Sequence, residues 1–283
     1  MPERALGGLV VAITGGARGI GRATAEAASR AGMKVAIGDL DAARTEAAAA
    51  EIGGSTAGFG LDVTDPASFA AFLDGAEARL GGPVDVLVNN AGVLFLGPYA
   101  AEDPAHTRAM LDVNLGGVLT GSRLALARFG ARGQGHLVNV ASSAGQIGVA
   151  GGATYAATKH AVVGLTRALR AEVRGTDVRT TLVLPGVIGT EMTTGFAKAR
   201  ATRVLDPGAV GAAIVRAVAT GSEEVFVPRE LGLPARLVAG LPPRASDAIK
   251  RALRADGVMG GADRAARAGY ESRAAREGTQ PGG

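Results

Sequence analysis

Short apolar runs alternate with longer amphipathic segments over the first 227 residues. The apolar runs are Leu9–Ile13, Lys34–Gly38, Ala57–Leu61, Val84–Val88, His136–Val140, Val178–Leu184 and Glu224–Val227. Several are continuous Val, Ile and Leu stretches, which is typical of strands buried on both faces of a parallel sheet. Segments with helical periodicity lie between them, near 19–31, 41–52, 66–80, 104–130, 154–175 and 207–220. This alternation predicts an α/β protein with a doubly wound sheet of seven parallel strands and right-handed crossovers.

The pattern changes near residue 228, where prolines interrupt the alternation. They are followed by stretches rich in Arg and Ala at 244–255 and 262–277. Such stretches predict two or three short helices, with fraying from about Gly278. We therefore expect an α/β domain over 1–228 and a helical C-terminal extension over 229–283.

The composition limits the class of protein. Of the 283 residues, 47% are hydrophobic and 20% are charged, which permits a sizeable buried core. The chain has no cysteine, which excludes disulfides, thiolate zinc sites and cysteine nucleophiles. No apolar run approaches the roughly 18 residues of a membrane span, and no signal-peptide pattern opens the sequence. We expect a cytoplasmic protein.

The net charge of +4 lies in the tail rather than in the α/β domain. Ten of the 30 basic and six of the 26 acidic residues follow position 227. The α/β domain is therefore neutral overall, which argues against a nucleic-acid partner.

A glycine-rich segment connects the first strand to the first helix. It reads Thr14-Gly15-Gly16-Ala17-Arg18-Gly19-Ile20-Gly21. Glycines permit a tight turn and a close approach of backbone N–H groups to a pyrophosphate, and the helix N-terminus favours negative charge. The flanking strand and helix make a dinucleotide site the better interpretation, although a ligand-free strand–helix turn remains the alternative.

Asp39 ends the second strand and bears on the choice of cofactor. A carboxylate there accepts hydrogen bonds from the adenosine ribose and repels a 2′-phosphate, which favours NAD over NADP. Arg18 argues the other way, because its guanidinium suits a 2′-phosphate. Asp39 can also be a helix cap beside Asp41. We weigh Asp39 above Arg18 and predict NAD.

Tyr155 and Lys159 lie four residues apart on a predicted helix and so share one face. A free phenol has a pKa of about 10, and a nearby cation lowers it towards the range that a general base needs. Ser142 follows the strand His136–Val140, at the sheet edge where ligands gather. The pair alone is common on helix faces; together with the glycine turn it predicts a catalytic site.

With these motifs the chain resembles the classical short-chain dehydrogenase/reductase family over about residues 6–228. The family's motif positions are Thr14, Gly15, Gly19 and Gly21 in the glycine turn; Asp62 and Val63; Asn89, Asn90, Ala91 and Gly92; Asn114; Ser142; Tyr155 and Lys159; and Pro185 and Gly186, followed by Val187, Ile188 and Thr190. The resemblance implies a Rossmann fold. It also implies cofactor contacts from Gly15, Arg18, Gly19, Ile20, Gly21, Asp39, Asp62, Val63, Asn90, Ala91, Gly92, Tyr155, Lys159, Pro185, Gly186, Val187, Ile188 and Thr190.

The resemblance further implies a reaction and the role of each catalytic residue. Tyr155 is the acid/base in hydride transfer between a secondary alcohol or ketone and the nicotinamide, and Ser142 orients the reacting oxygen. Lys159 binds the nicotinamide ribose and lowers the pKa of Tyr155. Asn114 holds a water in a proton relay. Asn90 has a mainly structural role, and family members assemble as homodimers or homotetramers.

Other functions fit the fold less well. Epimerases and dehydratases of this fold usually space the glycines differently, and enoyl reductases usually separate the Tyr and Lys by six residues. A non-catalytic dinucleotide sensor or scaffold is the alternative from another class, and such proteins tend to lack the Tyr or the Lys.

The substrate is poorly encoded. The segment Glu191–Leu205 is the expected lid, and the segment Val93–Tyr99 is the expected second wall. Their apolar residues suggest a small hydrophobic alcohol or ketone, and ordinary loop packing is the alternative. In the tail, leucines between Leu231 and Leu241 alternate with Arg229, Arg236 and Arg244. We expect them to cover the pocket, contact a partner subunit or an anionic membrane, or simply pack on their own domain.

Overall fold

The computed structural model describes residues 3–196, 204–252 and 257–278. Its strands are β1 Val10–Thr14, β2 Lys34–Asp39, β3 Thr56–Gly60, β4 Val84–Asn89, β5 Gln134–Val140, β6 Asp177–Pro185 and β7 Glu224–Val227. All neighbours pair in parallel, in the order β3-β2-β1-β4-β5-β6-β7. The predicted seven-stranded, doubly wound sheet is confirmed.

The helices between the strands are α1 Gly19–Arg30, α2 Ala42–Ile52, α3 Pro66–Leu80, α4 Pro104–Leu111, α5 Gly117–Arg132, α6 Ala153–Glu172 and α7 Pro207–Thr220. Aspartates cap several of them. Asp65, for example, accepts hydrogen bonds from the backbone N–H groups of Ala67 and Ser68, with Pro66 in the first turn. The sheet is buried because these helices cover both of its faces.

The helical segment expected near 104–130 is interrupted in the structure. A π turn, Asp112–Gly116, separates α4 from α5. Such a turn adds one residue to the helical repeat and often marks a functional site. The turn contains Asn114, a predicted site residue whose side chain is fully buried.

The region after β7 is helical, as predicted, with α8 Gly232–Ala239, α9 Pro243–Ala252, α10 Gly257–Gly260 and α11 Arg264–Gly278. The leucines of α8 are not the part that covers the core, since Leu233 is 69% exposed and Leu237 is 61% exposed. The helix that packs most deeply is α11, whose Tyr270 and Ala274 join the main core cluster. No helix among the described residues is long and apolar enough to cross a membrane.

The order of the strands reverses between β1 and β4. In doubly wound sheets the crevice at such a reversal, beyond the carboxyl ends of the strands, is where ligands bind. Here β1 leads into the glycine turn, β4 leads into Asn90, and β5 leads into Ser142. The sheet therefore brings three separate sequence motifs to one edge.

Candidate active site

A cavity of about 190 Å³ opens at this edge of the sheet. Thirteen of the predicted site residues line it: Gly15, Arg18, Gly19, Ile20, Asp39, Asp62, Val63, Asn90, Ala91, Gly92, Tyr155, Lys159 and Thr190. The cavity therefore joins the glycine turn and Asp39 to the tyrosine–lysine pair on α6. One continuous space holds the two kinds of chemistry that the sequence predicts.

The glycine turn needs glycines for steric reasons. A Cβ on Gly21 would lie 2.0 Å from the carbonyl oxygen of Gly15, and Gly15 itself has a positive φ of 65°. Asn90 holds the turn from the neighbouring strand, since its Nδ2 donates to the carbonyl oxygens of Thr14 at 2.9 Å and Gly15 at 3.2 Å. Larger residues would fill the space at the N-terminus of α1, where an anion is favoured. This geometry fits a pyrophosphate.

Asp39 faces the same turn. Its carboxylate accepts hydrogen bonds from the backbone N–H groups of Ala17 at 3.2 Å and Leu40 at 2.9 Å. The cap of α2 is Asp41, which accepts from the N–H of Arg44. Asp39 is therefore not the helix cap that the sequence left open, and its carboxylate lines the cavity.

Arg18 forms an ion pair with an acidic residue at the edge of the cavity. Its Nη1 lies 3.2 Å from a carboxylate oxygen of Glu191, and that oxygen also contacts Arg273 at 3.0 Å. Glu191 thus connects the glycine turn to α11.

Asp62, Val63 and Gly92 complete the cofactor side of the cavity. The Asp62 carboxylate accepts hydrogen bonds from the backbone N–H and the hydroxyl of Thr64. These bonds shape the loop after β3. A Cβ on Gly92 would stand 3.1 Å from Asn114 Oδ1 and 3.7 Å from Lys159 Nζ. Glycine at this position therefore preserves room beside the lysine.

Tyr155 and Lys159 lie on the buried face of α6, at the inner end of the cavity. Tyr155 is 7% exposed and Lys159 is 4% exposed. Lys159 Nζ lies 5.7 Å from the centre of the Tyr155 ring and donates to the carbonyl oxygen of Val140 at 3.1 Å. Ser142 is buried next to them, and its Oγ accepts from the N–H of Ala144 at 3.1 Å.

Burial controls the titration of this pair. It raises the pKa of Tyr155 to about 12, against which the hydrogen bond with Ser142 acts only in part. It also lowers the pKa of Lys159 to about 8. Burial therefore acts against the phenolate form of Tyr155 when no cofactor is bound. That Lys159 lowers the pKa of Tyr155 stays a prediction. At neutral pH the phenol is protonated and the lysine is charged.

Asn114 is tied to backbone instead of facing the cavity. Its Oδ1 accepts from the N–H of Val93 at 2.8 Å, and its Nδ2 donates to the carbonyl oxygen of Val93 at 2.9 Å. The π turn therefore anchors the loop that follows Gly92. A relay through Asn114 stays a prediction.

Seven predicted site residues lie near the cavity without lining it: Gly21, Asn114, Ser142, Pro185, Gly186, Val187 and Ile188. Pro185 ends β6, and Gly186 donates its N–H to the carbonyl oxygen of Val227. Ile188 is buried in the core. Their backbone positions the segment that carries Thr190, which does line the cavity.

The expected substrate walls are partly right. Val93 and Met192 line the cavity, but Leu94 and Phe95 are buried in the core, and Phe95 stacks on His106. Tyr99 is 69% exposed. Ordinary packing thus explains most of the apolar residues in Val93–Tyr99. Residues 197–203 of the expected lid lie outside the described residues.

Sequence reasoning missed the contribution of α11. Tyr270 and Ala274 line the cavity, and Arg267 is fully buried behind them. The available signal was Tyr270 itself, since only three tyrosines occur in the chain. No hydrophobic periodicity marks α11, because charged and small residues surround its buried positions.

A glycine turn that opens into a cavity ending at a buried tyrosine–lysine pair defines a nucleotide-binding α/β enzyme. The family model described as short chain dehydrogenase matches residues 9–201, and the chain belongs to that family. It is accordingly an oxidoreductase of the type that acts on CH–OH groups with NAD(P), as predicted.

Curated relatives are similar over most of the α/β region. The chain is 43% identical to 2-(S)-hydroxypropyl-CoM dehydrogenase 3 of Xanthobacter autotrophicus, over 63% of this chain and 71% of that one. It is 39% identical to 3-alpha-(or 20-beta)-hydroxysteroid dehydrogenase of Mycobacterium tuberculosis, over 66% of this chain and 71% of that one. A further Xanthobacter autotrophicus protein is named inactive 2-(S)-hydroxypropyl-CoM dehydrogenase 2. The chain is 44% identical to it, over 58% of this chain and 71% of that one. Similarity alone therefore does not establish turnover.

Solved structures show the same fold. A short chain dehydrogenase/reductase from Burkholderia phymatum in complex with NAD aligns with a TM-score of 0.75 at 26% identity, covering 83% of this chain and 94% of that one. The 3-ketoacyl-(acyl-carrier-protein) reductase of Brucella melitensis, complexed with NADH, aligns with a TM-score of 0.71 at 28% identity, covering 78% and 97%. These likenesses support a nicotinamide dinucleotide as the cofactor.

Proposed function

We propose that this protein interconverts a hydrophobic secondary alcohol and its ketone, with NAD as the cofactor and Tyr155 as the acid/base. One observation carries the proposal: a single cavity joins the glycine turn and Asp39 to the buried pair Tyr155 and Lys159. Sensors on this fold have no need of a buried phenol beside a buried ammonium. The cost of burying both groups is explained if they do chemistry.

The residues on the cofactor side fit the dinucleotide. The glycine turn and the N-terminus of α1 would hold its pyrophosphate, and Asp39 would accept hydrogen bonds from the adenosine ribose. When bound, the nicotinamide accepts or donates the hydride. Binding, orientation and proton transfer are left to the protein.

In ketone reduction, Tyr155 already carries the proton that the reaction needs. Burial holds its pKa at about 12, so its Oη keeps a proton at neutral pH and can donate it to the oxygen of the ketone. Ser142 hydrogen-bonds the same oxygen and orients it. In alcohol oxidation, Tyr155 must first lose its proton, and positive charge in the cavity favours the phenolate.

Lys159 supplies part of that charge below its pKa of about 8. Its Nζ has two further protons to donate besides the one engaged by Val140, which suits the hydroxyls of the nicotinamide ribose. Asn114, through its hydrogen bonds with Val93, keeps the loop above Lys159 in place. A water held there would connect Lys159 to solvent.

Asp39 supports NAD over NADP. Its carboxylate lines the cavity at the end of β2, where a 2′-phosphate would meet a like charge. Arg18, the group that would offset this repulsion, is paired with Glu191. Loss of a hydrogen bond to a charged group costs about 1.5–3 kcal/mol, which corresponds to a preference of at least about tenfold.

The substrate class is inferred from the cavity and the relatives. Val93, Met192 and Ala274 give the cavity apolar walls beside Tyr155. The relatives' names denote dehydrogenases of a hydroxysteroid and of a 2-(S)-hydroxypropyl group, each of which carries a carbinol. A hydrophobic secondary alcohol or ketone fits both the apolar walls of the cavity and the carbinol named in the relatives.

The test is a scan of secondary alcohols with NAD and NADP, and of ketones with NADH and NADPH, followed by the absorbance of the reduced cofactor. We expect turnover with NAD(H), with kcat/KM at least about tenfold above that with NADP(H). Tight binding of NADH without turnover of any substrate would instead favour the dinucleotide sensor.

We also propose assembly as a homodimer or homotetramer through α4, α5 and α6. Leu111 and Leu119 are 39% and 45% exposed, and Gly164 on α6 has open space where a Cβ would stand. Light scattering on the protein and on Leu119→Glu tests this: the variant should shift to a smaller species, and an unchanged mass would contradict this interface.

A further inference from the structure

The last helix, α11, is fastened to both walls of the cavity by one buried arginine. Arg267 is fully buried, and its guanidinium donates to the carbonyl oxygens of Leu94 at 3.0 Å, Met192 at 2.9 Å and Thr194 at 3.0 Å. Its Nε also donates to Glu271 at 2.8 Å. A buried guanidinium is tolerated only when its donors are paired, as they are here.

This arrangement fixes where Tyr270 lies. Tyr270 is 7% exposed, it lines the same cavity as Tyr155, and the Arg267 guanidinium lies 5.3 Å from the centre of its ring. Its hydroxyl oxygen accepts a hydrogen bond from the N–H of Leu94 at 3.0 Å. The hydroxyl is therefore held by backbone that neighbours Val93, a cavity residue, and the ring lies against the Arg267 guanidinium.

The phenol of Tyr270 has a proton left to donate. Burial raises its pKa above the ordinary value, so the group stays protonated. A tyrosine hydroxyl both accepts and donates, and the bond from Leu94 uses only its accepting side. Within the described ranges, the structure records no acceptor for this proton. A buried donor without a partner is costly, and a bound ligand is one way to supply the partner.

Apolar residues line the cavity together with Tyr270. Val93, Met192 and Ala274 contribute the neighbouring parts of the cavity wall. Tyr155 and Ser142 are assigned to the reacting oxygen, so the hydroxyl of Tyr270 is an additional polar group. The family match ends at residue 201, whereas α11 begins at residue 264.

We propose that Tyr270 is a substrate-binding residue whose hydroxyl donates a hydrogen bond to a second oxygen of the substrate. The substrate is then a hydrophobic secondary alcohol or ketone that carries another acceptor oxygen, such as a second carbonyl. This inference rests on the proposed function, since it assumes that Tyr155 holds the reacting oxygen. Arg267 is a positioning residue that acts through α11.

The experiment compares two ketones on one skeleton, decalone and decalindione. Binding of each to the NADH complex is measured by quenching of the nicotinamide fluorescence, in a Tyr155→Phe background that prevents turnover. With Tyr270 present, decalindione should bind about five- to tenfold more tightly than decalone. Adding Tyr270→Phe should abolish this difference and leave the affinity for decalone within about twofold.

A merely structural role would give another result. If Tyr270→Phe weakens both ketones equally, or if the two ketones bind alike with Tyr270 present, the proposal is overturned. Tyr270→His, which returns a donor on a ring, should recover part of the preference for decalindione. Tyr99→Phe is the matched control and should change neither affinity, since Tyr99 is 69% exposed.

Failure of the proposed function is visible separately. It would appear as NADH binding without turnover by the protein with Tyr155 intact, whereas the Tyr270 inference depends only on ketone affinities. Hydrogen exchange at the Leu94 amide adds a readout that needs no ligand. Exchange should be faster in Tyr270→Phe, because the variant lacks the oxygen that accepts from this N–H.

Discussion

Two helices, α6 and α11, each bring one tyrosine to the cavity and each bury one cation, and the surroundings of the two cations differ. On α6, Lys159 is buried with one recorded acceptor, the carbonyl oxygen of Val140, and burial lowers its pKa to about 8. On α11, Arg267 is buried with three carbonyl oxygens and Glu271. The cation on α11 thus holds structure, whereas the cation on α6 fits the proposed role in proton transfer.

Because both cations are buried but differ in their hydrogen-bond acceptors, the acceptors rather than the burial indicate the role of each cation. A poorly paired ammonium is costly to the fold, which is typical of a functional group. A fully paired guanidinium contributes to stability through the elements it joins, and removing it would leave several acceptors unpaired. Replacing each cation therefore has opposite expected effects on stability.

The largest effect is expected for Arg267→Met. The variant leaves the carbonyls of Leu94, Met192 and Thr194 without their donor and leaves Glu271 without its buried partner. We expect the free energy of unfolding to fall by about 3–5 kcal/mol, measured by urea denaturation. Arg273→Met on the same helix is the matched control. Its side chain is 40% exposed and paired with Glu191, so its loss should cost less than about 1 kcal/mol. Equal losses of unfolding free energy in the two variants would contradict a special structural role of Arg267.

Lys159→Met is expected to stabilise the fold. A cation whose pKa is depressed on folding costs stability where it is charged in both states, and the cost vanishes once it is neutral in both. Below about pH 8 the variant should therefore gain about 2–3 kcal/mol, and the gain should shrink as the pH rises towards about 10.4. Turnover should fall by about a hundredfold.

Urea denaturation from pH 7 to pH 10 checks the sign and the pH window of that gain. Lys34→Met is the control, because its ammonium also donates to one carbonyl oxygen, that of Leu80 at 2.8 Å, but lies partly exposed. A Lys159→Met protein that is less stable at pH 7 than the parent would refute the comparison between the two helices.

Asp39→Ser should produce a smaller effect, confined to the cofactor end of the cavity. Removing the carboxylate should lower the ratio of NADH to NADPH affinity by about tenfold, measured by fluorescence titration. Asp41→Ser is the control, since serine can also cap α2 and the ratio should stay unchanged. If the two variants behave alike, Asp39 does not discriminate between the cofactors.

The cofactor end of the cavity was the more predictable of its two ends. Gly15, Gly21 and Asn90 act through backbone geometry, and such requirements appear as short motifs with fixed spacing. The strands were predictable because they are continuous apolar runs buried on both faces. The predicted bounds differ from the observed ones by up to three residues, since element ends are the least well defined.

The substrate end was not predictable, and the reasons are physical. A π turn at Asp112–Gly116 inserts one residue without changing the apolar pattern of α4 and α5. Among the α11 side chains that the structure describes, the most buried is an arginine, a residue type that a hydrophobic pattern predicts to be exposed. The apolar pattern of the tail instead points to leucines such as Leu233 and Leu237, which are exposed. The raised pKa of Tyr155 also required knowing how deeply the phenol is buried.

The central claim is that Tyr155 transfers the proton while the rest of the cavity binds the cofactor. Tyr155→Phe tests it most directly when NADH affinity and kcat are measured on the same preparation, with Tyr99→Phe as the control. We predict that kcat falls by about a thousandfold or more while the Kd for NADH changes by less than about twofold. Turnover retained within about tenfold of the parent would contradict the assignment of Tyr155.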